Sequence, residues 1–127
     1  MKFMLLIHQR DAARPGRPGE GNERAVAAWE SLSEDEQRAI YGEWQAINET
    51  SGVTAGAQLQ PPETAVTVRV ENGKPLRIDG PFAETKEALG GYLFFEADDI
   101  DAAVELAERI PTARLGGAIE VRPVVEW

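Results

Sequence analysis

Val66, Val68 and Val70 alternate with Thr67, Arg69 and Glu71, and the run ends at Asn72-Gly73. Alternation is the period of a strand, and Asn-Gly is the dipeptide that best tolerates the two left-handed residues of a type I′ turn. Together they commit the chain to an antiparallel hairpin, with Leu76-Arg77-Ile78 returning as the partner strand. Pro75 is then expected where the returning strand has no ladder donor to supply.

The other elements fall on either side of this hairpin. Residues 2–8 are a strand-length apolar run, which predicts a central strand buried on both faces. The run is too short for a signal peptide and ends in His8-Gln9-Arg10-Asp11. No stretch approaches the roughly 20 apolar residues of a membrane helix, so a cytoplasmic, bacterial-type protein with no membrane partner is expected. Residues 10–21 hold three arginines, two prolines and three glycines. They read as a loop, either simply solvated or a lid that handles anions.

Asn22 can cap a short helix carrying Ala25, Val26, Trp29 and Leu32, and Ser33-Glu34-Asp35-Glu36 is a capping box for a second. In that second helix Ile40, Trp44 and Ile47 form an apolar stripe flanked by Tyr41, and Gly52 supplies a left-handed stop. Trp29, Trp44 and Tyr41 are read as core or dimer-face residues. Residues 53–60 form a weaker strand closed by Pro61-Pro62, and Gly91–Phe95 a buried one. Asp98 is expected to cap a helix with Ile100, Ala103, Val104, Ala107 and Ile110 on one face, stopped by Pro111. Residues 118–126 close the chain as a strand. Apart from the hairpin, the order is βαββαβ, that of an α+β, ferredoxin-like single domain spanning residues 1–127. Such a sheet leaves one face without helices, and a second copy of the chain is its simplest cover, which predicts a homodimer.

Charge and residue usage remove several functions. With 13 Lys and Arg against 22 Asp and Glu, the net charge of −9 opposes the counterion release on which nucleic-acid binding depends. No cysteine and one histidine leave no thiolate or multi-histidine metal site, and no glycine pattern marks a nucleotide cofactor, so no metal or cofactor is expected.

The chemistry concentrates around Asp79-Gly80-Pro81-Phe82 and the polar stretch that follows. Asp commonly bonds the amide two residues ahead, but Pro81 has none, so the Asp79 carboxylate keeps acceptor capacity for another partner. Gly80, preceding a proline, is pushed towards extended conformations, and Phe82 can anchor the turn. Glu84 and Lys86 bring a second carboxylate and an ammonium close by. Two readings stand: Asp79 fixes the turn and Lys86 pairs at the surface, or the cluster does acid–base work. His8, at the end of the first strand, can be a proton carrier or a merely solvated imidazole.

The stretch from Asp79 to Tyr92, the Met-Lys-Phe-Met-Leu-Leu-Ile start, Leu59-Gln60-Pro61-Pro62, the valine hairpin and Glu120-Val121-Arg122-Pro123-Val124 resemble the DGPF group of the YCII-related family. The resemblance implies a dimeric α+β barrel of two ferredoxin-like sheets packed face to face. A His–Asp pair is the suspected acid–base element of relatives, with the His early in the first helix; this chain has no His after position 8, so that pair is not carried over. The resulting expectation is a homodimer holding a small, possibly ring-containing organic molecule, with cofactor-independent proton transfer (isomerisation or elimination) as its chemistry if it is an enzyme. Asp79, His8 and Glu84 are the candidate catalytic residues, and Arg10, Gly80, Pro81, Phe82 and Lys86 the candidate ligand-binding ones. The alternative, suggested by the association of relatives with extracytoplasmic-function sigma factors, is a non-catalytic regulatory module docking on such a factor.

Overall fold

The computed structural model describes residues 1–9, 30–60, 62–80 and 88–126. Its elements are β1 (Lys2–Gln9), α1 (Glu34–Asn48), β2 (Val53–Gln58), β3 (Val66–Glu71), β4 (Lys74–Asp79), β5 (Ala88–Glu96), α2 (Ile100–Glu108), α3 (Pro111–Arg114) and β6 (Ala118–Pro123). The loop expected at 10–21 and the helix expected after Asn22 lie largely or wholly outside the described residues.

Four strands form one antiparallel sheet in the order β2-β5-β1-β6, and β3 and β4 pair separately. With the hairpin set aside, this is the strand order of a ferredoxin-like α+β fold. Asn72 and Gly73 both take positive φ, 51° and 75°, as the type I′ reading requires. Pro75 stands opposite Val70 in a ladder of only two strands, so a missing donor need not interrupt a third.

β1 is buried strictly in alternation. Phe3, Leu5, Ile7 and Gln9 are covered, while Met4, Leu6 and His8 are half-buried. The continuous apolar run therefore does not mark burial on both faces. One face carries the helix-covered core, and the other is apolar but open. Leu93 and Phe95 of β5 stand opposite Leu5 and Phe3 and extend the covered row, and Ile119 and Val121 of β6 join it from the other side. Ile47, Ala103, Leu106, Ala107 and Ile110 pack onto this row from the helices.

The helices begin where local chemistry lets them. Ser33 Oγ accepts from the Glu36 amide at 3.1 Å, and Glu36 accepts from the Ser33 amide at 3.2 Å, a complete capping box. Three acidic residues occupy the first turn of α1, where the helix dipole favours them. Two expectations for the later helices are corrected. The cap of α2 is Asp99, which accepts from the Ala102 amide at 2.9 Å, and Pro111 starts α3 at a position where its missing N–H costs nothing. Ala103, Ala107 and Ile110 are buried as expected, but Leu106 joins them while Ile100 and Val104 are exposed. Among the described residues no helix is long and apolar enough to cross a membrane.

This stripe has a measurable consequence. Leu106→Ala should cost about 2–5 kcal/mol in urea unfolding through the cavity it leaves, and Val104→Ala no more than about 0.5 kcal/mol. Equal losses would place the stripe on the wrong face.

Candidate functional site

A cavity of ≈ 390 Å³ lies between α1 and the β2–β5–β1 side of the sheet. Ile7, Val53 and Leu93 form its apolar walls, Tyr41, Trp44 and Asn48 reach it from α1, and Gly56, Gly90 and Gly91 give it stretches of bare backbone. Its size is within the usual range of small-molecule sites.

Among the described residues, two of those that line the cavity carry a buried polar atom without a hydrogen-bond partner, the Gln9 side-chain Oε1 and the Trp44 Nε1. Gln9 is only 8% exposed. The same alternation that buries Phe3, Leu5 and Ile7 brings it under the helices, in phase with the core row but carrying an amide. Space for that amide comes from a β-bulge. Ile7 stands opposite Gly91 and His8 opposite Leu89, so Gly90 is an extra residue in β5. A Cβ on Gly90 would lie 2.1 Å from Gln9 Oε1 and 2.9 Å from Gln9 Cγ. Only a glycine lets the Gln9 side chain lie across the bulge in this position. Trp44 arrives from the apolar stripe of α1, one turn after the buried Ile40.

The residues expected to carry chemistry sit elsewhere or outside the described part. The Asp79 side chain, at the end of β4, is 92% exposed, with Arg77 Nε at 4.0 Å, a solvated pair that contributes little. Beside it the Gly80 amide donates to Ala65 O at 2.7 Å, and Thr67 Oγ1 donates to Gly80 O at 2.9 Å. Gly80 itself has φ of 103°, not the extended conformation expected before a proline. The left-handed side of the map is open to glycine, and here it closes the hairpin's end. Arg10, Pro81, Phe82, Glu84 and Lys86 lie outside the described residues.

His8 is half-buried on the open face of the sheet, with Nε2 3.4 Å from Glu120 Oε1. Glu120 also bonds the Arg122 guanidinium, which, with a smaller contribution from His8, holds its carboxyl below the usual carboxylate range against the opposing effect of desolvation. Among the described residues no hydrogen bond or ion pair joins His8 to Asp79, and no cluster of three or more His, Asp or Glu is arranged to hold a metal ion.

Gln9 and Trp44 were not singled out as a pair by the sequence. The available signal was parity, because a polar residue two positions after three in-phase core residues is a buried amide in need of a reason.

The YCII-related domain model matches residues 1–127, and the chain belongs to that family. An uncharacterised protein of Rhizobium meliloti (strain 1021) is 34% identical over 106 residues, covering 81% of this chain and 85% of the relative.

An unpartnered buried amide destabilises the empty protein. Gln9→Met, which keeps the length of the side chain and removes the polar atoms, should raise unfolding stability without ligand by about 1–3 kcal/mol. A loss of similar size in urea denaturation would mean that the amide is satisfied after all.

Proposed function

We propose that this YCII-related domain is a homodimer that binds a small organic molecule in the cavity beneath α1. The observation that carries the reading is the cavity of ≈ 390 Å³ itself, whose lining joins the apolar Ile7, Val53 and Leu93 to the polar side chains of Gln9, Asn48, Thr54 and Gln58, the composition of a small-molecule site. A ligand that fills the apolar part and bonds some of these side chains would be both held and oriented there. The described lining contains no carboxylate, imidazole, ammonium or guanidinium. Binding, rather than proton transfer, is therefore the function we assign to it.

The dimer follows from the second face of the sheet. Met4, Leu6, Tyr92 and Phe94 form a half-buried apolar row there, and Leu89 beside them is 40% exposed. The ring of Phe94 meets Tyr92 edge-on at 6.1 Å and carries the Lys2 ammonium 4.7 Å from its centre. Aromatic and aliphatic side chains ranked across adjacent strands make a flat, self-complementary surface of the kind a two-fold interface uses. Two such sheets packed face to face would make the α+β barrel that the family resemblance implies.

A thermal-shift series with small aromatic acids, phenols and lactones tests the first part. A compound at about 100 times its Kd should add about 2.7 kcal/mol, a rise of several degrees, and the rise should vanish in the Gln9→Met, Trp44→Phe double variant. Rises that survive the double variant would move the site elsewhere. For the second part, Leu6→Glu should give a folded monomer by circular dichroism and sedimentation equilibrium, where the wild type is a dimer. A monomeric wild type, or a variant that still dimerises, would overturn the assembly.

A further inference from the structure

We infer that assembly through the open face of the sheet is pH-dependent, weakening as His8 takes up a proton; the inference rests on the homodimer reading above. The strand registers fix what lies on that face. Leu6 stands between Tyr92 of β5 and Glu120 of β6, and Met4 between Phe94 and Arg122. His8 follows Leu6 on the same side, between Leu89 and Ala118. Side chains directly opposite in an antiparallel pair are only about 4.5–5.5 Å apart at Cβ. A second copy that covers Met4 and Leu6 therefore also crowds Glu120, Arg122 and His8.

The sign follows from the charges already on the face. Glu120 bonds the Arg122 guanidinium and lies 3.4 Å from His8 Nε2. The His8 and Glu120 side chains are 33% and 41% exposed in one copy, so both still have water to lose to a partner. Among the described residues of the sheet, the other charged side chains on this face are Lys2 and Glu96, opposite each other at the far end of β1. There the Met1 ammonium also bonds Glu96, at 3.3 Å. β5 adds the uncharged phenol of Tyr92, and β2 has no titratable side chain. Each carboxylate thus has a cation before His8 is protonated. A proton on His8 adds a positive charge with no carboxylate left to itself, and desolvation by the partner penalises that charged form. The wider field acts the other way, because the proton trims a net charge of −9 on each copy. That repulsion is spread over the surface and screened beyond about 8 Å at physiological salt, so the local effect decides. The dimer then binds fewer protons than two monomers, and acid favours the monomers.

Sedimentation equilibrium of the untagged chain at about pH 7.5 and about pH 5.5, at constant ionic strength, spans the range in which an imidazole changes charge. Circular dichroism checks that the fold is kept at both. The dissociation constant should rise at least about fivefold at the lower pH, since two imidazoles are covered in each dimer. His8→Gln, neutral throughout, should keep the dimer and lose the pH dependence. His8→Lys, charged throughout, should dimerise weakly at both pH values. His8 is the only histidine of the chain, so its ring-proton resonance is unambiguous. On acidification it should titrate later in concentrated, dimeric samples than in dilute, monomeric ones.

The failures separate. A dissociation constant that is unchanged or falls at the lower pH would overturn the pH dependence and leave the dimer standing. So would a rise that persists in His8→Gln, because another group would then be responsible. If His8→Gln does not fold, the two resonance titrations decide, and coincident or reversed curves overturn the inference. A wild type that is monomeric at both pH values, or a dimer that Leu6→Glu leaves intact, removes the interface itself and the inference with it.

Discussion

The fold depends on the placement of β1 at the centre of the sheet, paired on both edges. It pairs with β5 over its whole length and with β6 over Phe3–His8, so neither side of its ladder is free to slip. A slip of one residue would exchange Phe3, Leu5 and Ile7 for Met4, Leu6 and His8 against the helices. Fully covered Phe3 and Leu5 make that exchange costly, because both are at 0% exposure against Leu106 and Ile110, themselves nearly or fully inaccessible. Once the parity is set, one strand assigns three environments. It gives a hydrophobic core in the middle of its covered face, a buried amide at the end of that face, and an open apolar row behind.

The amide at the end is where stability and function part. A strand selected only for packing would place an aliphatic residue at position 9 and an ordinary pair opposite it. Instead the sheet carries a bulge at Ile7/His8, with Gly90 as the extra residue and the Gln9 side chain lying where any other residue would put a Cβ. A second irregularity on the same side, between Thr54 and Gly56 of β2, brings Ala55 to φ of 26° beside the same cavity. Bulges bend a strand and leave one residue outside the ladder, and here both face the space under α1. Each is a local cost with no gain to the core, and such costs collect where a protein makes room for something else.

Much of this architecture was readable from local signals. The valine alternation and Asn72-Gly73 specified the hairpin, Ser33 and Glu36 specified the start of α1, and the order of elements led to the ferredoxin-like sheet. Local signals failed where two neighbouring residues offered the same chemistry. Asp98 and Asp99 are both capable caps, and it is Asp99 whose carboxylate accepts from the Ala102 amide. They failed again where burial is set at a distance. Gln9 looks like the polar end of a strand until β5 is laid beside it, and Trp44 looks like one more core aromatic until its indole nitrogen is found without a partner. Motif chemistry drew attention to Asp79 because Pro81 offers its carboxylate no amide two residues ahead. What the sequence does not show is that the hairpin presents this carboxylate to solvent.

The hairpin carries the Asp79 carboxylate out into solvent at the end of β4. Its described end is held by main-chain and hydroxyl groups, through Gly80 to Ala65 and Thr67 to Gly80. Val68 and Val70 on one side, with Leu76 and Ile78 on the other, are exposed along the ladder. A two-stranded ribbon with apolar side chains on both faces is marginal in water unless something packs against it. The open row of the main sheet has the same unmet requirement, and a second copy of the chain presents both surfaces at once. The proposed homodimer would cover the open row and would leave the cavity under α1, on the helix-covered side of the sheet, free for a ligand.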